Sequence, residues 1–138
     1  MLSILLINYH SAQLLQDCLT TINKDAGAFA FEIIIVDNSP GDGAEAEIKQ
    51  LVPLVKWIRM ENNTGFARAN NTGIRASEGN VVLLLNPDTL IIDSAISKCY
   101  EELMQSEYVA GGVQLLNSDG SPQISGNFVM TGGLNYLM

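Results

Sequence analysis

Apolar residues run almost unbroken through positions 2–8, LSILLIN, with β-branched members among them. Such a run reads as a strand buried on both faces. The spacing then changes. Leu14, Leu15, Cys18, Leu19 and Ile22 recur at helical intervals, and Ser11 stands where an N-cap belongs. FEIIIVD at 31–37 is a second buried strand, and NSPGDG after it is a turn. A short helix is expected over 44–52, stopped by Pro53. VKWIRM at 55–60 is a weaker strand. The segment ENNTGFARANNTGIRAS, 61–77, occupies a helix position although Asn and Gly are poor helix formers. Phe66, Ala67, Ala69 and Ile74 are the apolar positions left to anchor it, and Gly79 is its expected stop. VVLLL at 81–85 is the most apolar strand. Asp93 can cap a helix with an inner face of Ala95, Ile96, Cys99, Tyr100, Leu103 and Met104. YVAGGVQLL, 108–116, reads as a fifth strand, with NSDGS as the turn after it. The remaining tail has no clear period.

Buried strands alternating with helices predict an α/β fold, a mostly parallel sheet with helices on both faces. In such sheets ligands bind outside the carboxyl ends of the strands. The residues there are Asn8, Tyr9 and His10; Asp37, Asn38 and Ser39; Asn62, Asn63, Thr64 and Gly65; and Asn86, Pro87 and Asp88. Polar groups thus collect at one edge. Loops are polar in any protein, so a site and ordinary loops both fit this pattern.

Composition narrows the partners. The chain has 138 residues, 47% hydrophobic and 16% charged, enough for one domain with a core. A net charge of −8 argues against nucleic acid or an anionic membrane surface. An anionic ligand would need a metal ion, helix N-termini or placed arginines. No apolar run spans a bilayer, and MLSILLINYH has no basic region and is a strand rather than a signal peptide. Cys18 and Cys99 fit reduced thiols in a cytoplasmic protein.

Several chemistries drop out. NYHSAQ follows the first strand where a dinucleotide fingerprint would place its glycines, and there is no P-loop sequence. With His10 as the only histidine, a metal site built on histidines is excluded. Asp37 fits either a carboxylate facing a nucleotide or a turn-forming Asp, and taken alone the turn is favoured. Pro87 holds Asn86 extended, so the loop presents two oxygen-bearing side chains, Asn86 and Asp88. Mg²⁺ typically takes one or two carboxylates plus substrate phosphates, so Asp88 could be a ligand; an ordinary turn also fits.

Four segments in order, INYHSAQLLQDCLTTI, IIIVDNSPGDG, NNTGFARANNTGI and VVLLLNPDT, resemble the N-terminal half of a family 2 glycosyltransferase. The subgroup they resemble is the bacterial rhamnosyltransferases that build cell-surface polysaccharides. The N-x-G-F-A-x-A-N-N-x-G-I pattern at 63–74 is the most specific part, and Asn86-Pro87-Asp88 resembles that subgroup's variant D-x-D motif. GGVQLLNSDGSPQISG, 111–126, resembles the segment that follows.

The resemblance implies a Rossmann-like GT-A sandwich. It also implies a nucleotide-diphosphate sugar donor, a saccharide or lipid-linked acceptor, and Mg²⁺ or Mn²⁺. Asp37 would contact the base with Tyr9 near it, and Asn8 and Asn38 would join the donor-binding set. Gly65 and Arg68 would lie beside the nucleotide, and Asn70 and Asn71 near the donor pocket. Asp88 would hold the metal with Asn86 in support. The motif has one carboxylate rather than two, so metal affinity without donor should be low. The general base of the inverting reaction, and the acceptor-binding half, are expected beyond residue 138. Residues 1–138 are therefore expected to be one truncated domain, weakly active or inactive alone, with uncovered apolar surface that favours a homodimer. Its place is the cytoplasm, including the inner face of the membrane. Two competing readings are a non-catalytic nucleotide-sugar-binding module and a receiver-like domain. The latter lacks an acidic cluster after the first strand.

Overall fold

A computed structural model describes residues 1–25 and 29–123. Eight elements alternate along it: β1 (Leu2–Asn8), α1 (Ala12–Asp25), β2 (Phe31–Asp37), α2 (Ala44–Leu51), β3 (Lys56–Arg59), α3 (Phe66–Ala76), β4 (Val81–Leu85) and α4 (Ala95–Gln105). The four strands form one parallel sheet in the order β3-β2-β1-β4. The expected α/β fold with a parallel sheet is therefore present.

Handedness explains which helix lies where. The chain steps from β1 outward to β2 and β3, then returns across the sheet to β4. Right-handed crossovers place helices of opposite travel on opposite faces. Accordingly α1 and α2 share one face, and α3 lies on the other. On the first face Leu2, Ile4, Leu6, Ile33 and Ile35 pack with Leu15, Cys18, Leu19, Ile22, Ile48 and Ile96. On the second, Leu5, Ile7, Ile34 and Val36 pack with Ala69. Side chains alternate between faces along a strand, so the middles of β1 and β2, Ile4–Ile7 and Ile33–Val36, need apolar residues at consecutive positions. Each fully buried Ile or Leu contributes about 1.5–3 kcal/mol.

Several local expectations are corrected. Residues 108–116 form no strand; only an isolated antiparallel bridge joins Leu116 to Pro122, around the expected 117–121 turn. Gly111 and Gly112 interrupt that run, and glycine weakens a strand interior. As a result β4 is an edge strand among the described residues, and Leu84 is half exposed. Ser11 does not cap α1 with its side chain; its hydroxyl donates instead to Asn8 Oδ1 at 3.1 Å. Asp93 does not cap α4. Asp25, at the end of α1, accepts from Ile96 N–H at 2.9 Å and from the Ser97 hydroxyl. Of the expected inner face of α4, Ile96 is buried and Met104 is half exposed.

Of the residues expected to anchor helix α3, only Ala69 does so. Phe66, Ala67 and Ile74 are exposed, while Ala69, Asn70 and Gly73 are buried. A Cβ on Gly73 would sit 2.1 Å from Leu5 Cδ1, so this glycine lets the helix lie directly on β1. The helix ends at Ala76, before Gly79. Gly79 is packed instead against Ser3, whose Oγ would be 2.6 Å from an added Cβ. No helix among the described residues is long and apolar enough to cross a membrane. The apolar stretch 127–138, and residues 124–126 of the segment resembling the family, lie outside the described residues.

Candidate functional site

The strand order reverses at β1: β2 and β3 lie to one side and β4 to the other. A crevice outside the carboxyl ends opens at such a switch point. Asn8, Tyr9 and His10 leave β1 there, and Asn86, Pro87 and Asp88 leave β4. Asp37, paired in register with Asn8, lies one strand further over. Neighbouring strands are about 4.8 Å apart, so Asp37 and the β4 loop flank β1 across roughly 10 Å.

Asn8 is the hub of this edge. It is fully buried. Its Nδ2 lies 3.0 Å from Asp37 Oδ1, 3.3 Å from Ser39 Oγ and 2.9 Å from Asp42 Oδ2. Its Oδ1 accepts from the Ser11 N–H at 3.2 Å and from the Ser11 hydroxyl. One amide thereby joins the end of β1, the start of α1, the end of β2 and the turn before α2. Asp37 is also buried, and its Oδ1 accepts from the Ser39 N–H at 3.1 Å. Ser39 Oγ lies 2.8 Å from Asp42 Oδ2 and accepts from His10 N–H at 3.0 Å. His10 has φ 52°, a left-handed conformation unusual for a residue with a Cβ. The carboxyl of Asp42 is displaced upward by burial. Its bonds from Ala44 N–H, Asn8 and Ser39 outweigh that, with help from His10, and hold it below the ordinary value of 3.8.

The other side of the β2 end is built on Asn38. It is buried, donates from Nδ2 to Asn63 Oδ1 at 2.9 Å and accepts at Oδ1 from Thr64 N–H at 2.9 Å. Asn63 Oδ1 also accepts from Gly65 N–H at 2.9 Å. Gly65 precedes α3 with φ 82° and ψ 160°, a combination essentially confined to glycine. An added Cβ there would meet nothing within 4 Å, so the space in front of this backbone is open.

The remaining expected residues divide by exposure. Tyr9 is exposed, with its ring centroid 4.8 Å from that of His10. Arg68, Asn71, Asn86 and Asp88 are exposed. Asn70 is buried and donates to Phe66 O within its own helix at 3.0 Å. The Asn86 carbonyl accepts a 4.0 Å contact from the Cys18 thiol. Burial, reinforced by the charge of Asp88, pushes Cys18 up to about 12, so this thiol is unreactive at neutral pH. Ser39, Asn63 and Thr64 stand among the strand-end residues of the sequence without an assigned role, and Ser11 and Asp42 have no site role there. Their signal lies in the polar runs that follow β1, β2 and β3.

Among the described residues, no three His, Cys, Asp or Glu side chains converge on a point. Asp88 is a single exposed carboxylate. That donor set suits a hard cation that draws its other ligands from substrate phosphates and water, and does not suit a closed protein cage. Two grooves beside α4, the larger of about 290 Å³, touch none of the expected site residues.

A family model described as Glycosyl transferase family 2 matches residues 3–129. A low-salt glycan biosynthesis hexosyltransferase, Agl10 of Haloferax volcanii, is 30% identical over 127 residues, covering 88% of this chain and 38% of the relative. An uncharacterized glycosyltransferase of Bacillus subtilis, YwdF, is 25% identical over 84% of this chain and 43% of its own length. The chain thus spans less than half the length of these relatives. Among solved structures, the mannosyltransferase PcManGT of Pyrobaculum calidifontis, in complex with GDP-Man and Mn²⁺, superposes with a TM-score of 0.66. It is 21% identical, over 74% of this chain and 32% of that one. Residues 1–349 of S. aureus TarS superpose with a TM-score of 0.65 at 19% identity, over 75% of this chain and 32% of that one. At these identities the structural likeness establishes the shared fold alone.

Proposed function

This chain belongs to glycosyl transferase family 2, and from that premise we propose that it is the donor-binding part of an inverting glycosyltransferase. The enzyme would transfer a sugar from a nucleotide-diphosphate sugar to a saccharide or lipid-linked acceptor on the cytoplasmic side of a membrane, in cell-surface polysaccharide synthesis. The observation that carries this reading is the division at the carboxyl edge. Buried Asn8, Asp37 and Asn38 fix the loops, while Tyr9, Gly65, Arg68 and Asp88 stand exposed around the switch point.

In this reading the base lies toward Asp37, with the exposed Tyr9 ring as a stacking surface. The diphosphate lies toward the β4 loop. The open Gly65 backbone and the unpaired first-turn N–H groups of α3 face it, with Arg68 beside them. Asp88 would hold Mg²⁺ or Mn²⁺, supported by Asn86. A bound cation neutralises the charge that develops on the departing diphosphate. This chain otherwise offers a −8 background to an anionic donor, so local cationic help is required. The base that takes the acceptor hydroxyl's proton is assigned to no residue of this chain. The rhamnosyl assignment rests on the subgroup resemblance alone. The hexosyltransferase relative widens the sugar to hexoses generally.

Calorimetric titration of the 138-residue protein with UDP, dTDP and GDP, with and without Mg²⁺, tests the reading. Binding of at least one nucleotide, tightened by Mg²⁺, is expected. Folded protein that binds none of them would sink it.

A further inference from the structure

We propose that Asn38 is a positioning residue that holds the mouth of α3 open in a fixed place, and that it does not itself touch the donor. The inference rests on the donor-site reading above and sharpens it. Asn38 is 3% exposed, and both ends of its amide are engaged by the chain. Its partners are consecutive: Asn63 receives the amide N–H, and Thr64 gives both its backbone N–H, at 2.9 Å, and its hydroxyl, at 3.3 Å. Asn63 passes the constraint on by accepting from Gly65 N–H. The space in front of the Gly65 backbone is open, and the α3 N-terminus follows it directly.

No other described side chain bonds Thr64 N–H, and β3 ends several residues earlier at Arg59. Met60 N–H still bonds the Asp37 carbonyl at 2.9 Å, and beyond Met60 it is Asn38 that ties residues 63 and 64 to the end of β2. A buried amide with both ends paired is costly to replace, because each orphaned partner loses its bond. Asn63 is exposed and Thr64 half-buried, so the clamp fastens a surface loop to a buried strand end.

The test is amide hydrogen exchange at Thr64 and Gly65 in Asn38→Ala, Asn38→Asp and Asn63→Ala, alongside UDP and GDP titration with Mg²⁺. Asn38→Ala should speed exchange at both amides by about tenfold while β1 and β2 stay protected. Asn38→Asp keeps the acceptor for Thr64 but forces the Asn63 amide to turn. It should spare Thr64 and release Gly65. Nucleotide affinity should fall about five- to tenfold in Asn38→Ala, and adding Asn63→Ala should cost little more, since one chain of bonds is already broken. Asn63 is exposed, so Asn63→Ala is a safe second route should Asn38→Ala unfold; alone it should release Gly65. Unchanged exchange at Gly65 in Asn63→Ala, or fully additive losses in the pair, would overturn the clamp. If the native protein binds no nucleotide, the donor-site reading fails while the exchange pattern still decides the clamp.

Discussion

At the amino edge of the sheet, Glu32 Oε1 accepts from the Ser3 hydroxyl and from Glu78 N–H, both at 2.6 Å, and Ser3 Oγ accepts from Gly79 N–H. Lys56 adds a bond to the Ala76 carbonyl and an ion pair with Glu78 at 3.3 Å. At the carboxyl edge, Asn8, Asp37, Ser39 and Asp42 form a network of similar size. The residues that surround the two differ. Around the amino edge the polar groups serve the connection between α3 and β4, and little is left over. At the carboxyl edge Tyr9 and Asp88 follow strand ends, and Gly65, Arg68 and Asn71 follow β3 into α3. All are exposed, and the side chains of Tyr9, Arg68, Asn71 and Asp88 enter no hydrogen bond of the described structure. A polar cluster is thus site-like when exposed groups remain beside it, not when it is merely polar.

The largest effect should come from the hub. Asn8→Ala empties a fully buried position and takes one bond each from buried Asp37, from Asp42 and from the Ser11 hydroxyl, and should cost about 3 kcal/mol of stability. Urea denaturation measures it, and nucleotide binding should be lost as the loops shift. A loss under about 1 kcal/mol would mean that the two edges are not held by comparable networks.

Ser3→Ala is the counterpart at the other edge. It removes one hydroxyl between Glu32 and Gly79 and should cost about 1–2 kcal/mol. Nucleotide affinity should be unchanged in the surviving folded protein. A drop in affinity would show that the amino edge reaches the site, and the contrast would fail.

The pH response should be smaller and of the same sign at both edges. Burial would raise Glu32, but the Ser3 hydroxyl, the Glu78 amide, the Lys56 charge and the Gly79 amide hold it below its ordinary 4.5. Asp42 is likewise held below 3.8. A carboxyl depressed in the folded state stabilises the fold above its unfolded value, and that contribution disappears as pH falls through the folded one. Stability should therefore decline on acidification below about pH 4.5. Glu32→Gln and Asp42→Asn should each flatten the decline in a pH series of urea midpoints. A slope unchanged in either variant would remove that carboxylate from the account.

How far the sequence led can be judged on particular residues. The sheet was legible because β1 and β2 are apolar at consecutive positions, Ile4–Ile7 and Ile33–Val36, which two-sided burial demands. The place of the candidate residues was legible too, since Asn8, Asp37 and Asn86 could be put at strand ends by counting. What failed were long-range partners. Asp25 caps α4 from 71 residues away, and nothing near Asp93 signals that. Gly73 looked like a weakness in α3 until Leu5 was found beneath it. Asn38 read as a ligand-facing residue because its bonds to Asn63 and Thr64 span 25 and 26 residues. The 108–116 run has strand composition, but no ladder among the described residues receives it.

The smallest effect on stability should come from Asp88, and it bears most directly on the contrast between the edges. Asp88 is exposed, and no hydrogen bond within the described structure depends on its carboxylate. Asp88→Asn should therefore move the urea midpoint by no more than about 0.5 kcal/mol. If the carboxylate holds the cation, the same change should abolish the increment that Mg²⁺ adds to nucleotide binding and leave the metal-free affinity in place. Replacing Glu78, a carboxylate of the amino edge, by Gln should leave that increment intact. A Mg²⁺ increment that survives in Asp88→Asn would move the metal away from the β4 loop, and with it the diphosphate. The exposed residues of the carboxyl edge would then need a different ligand to explain why the fold leaves them free.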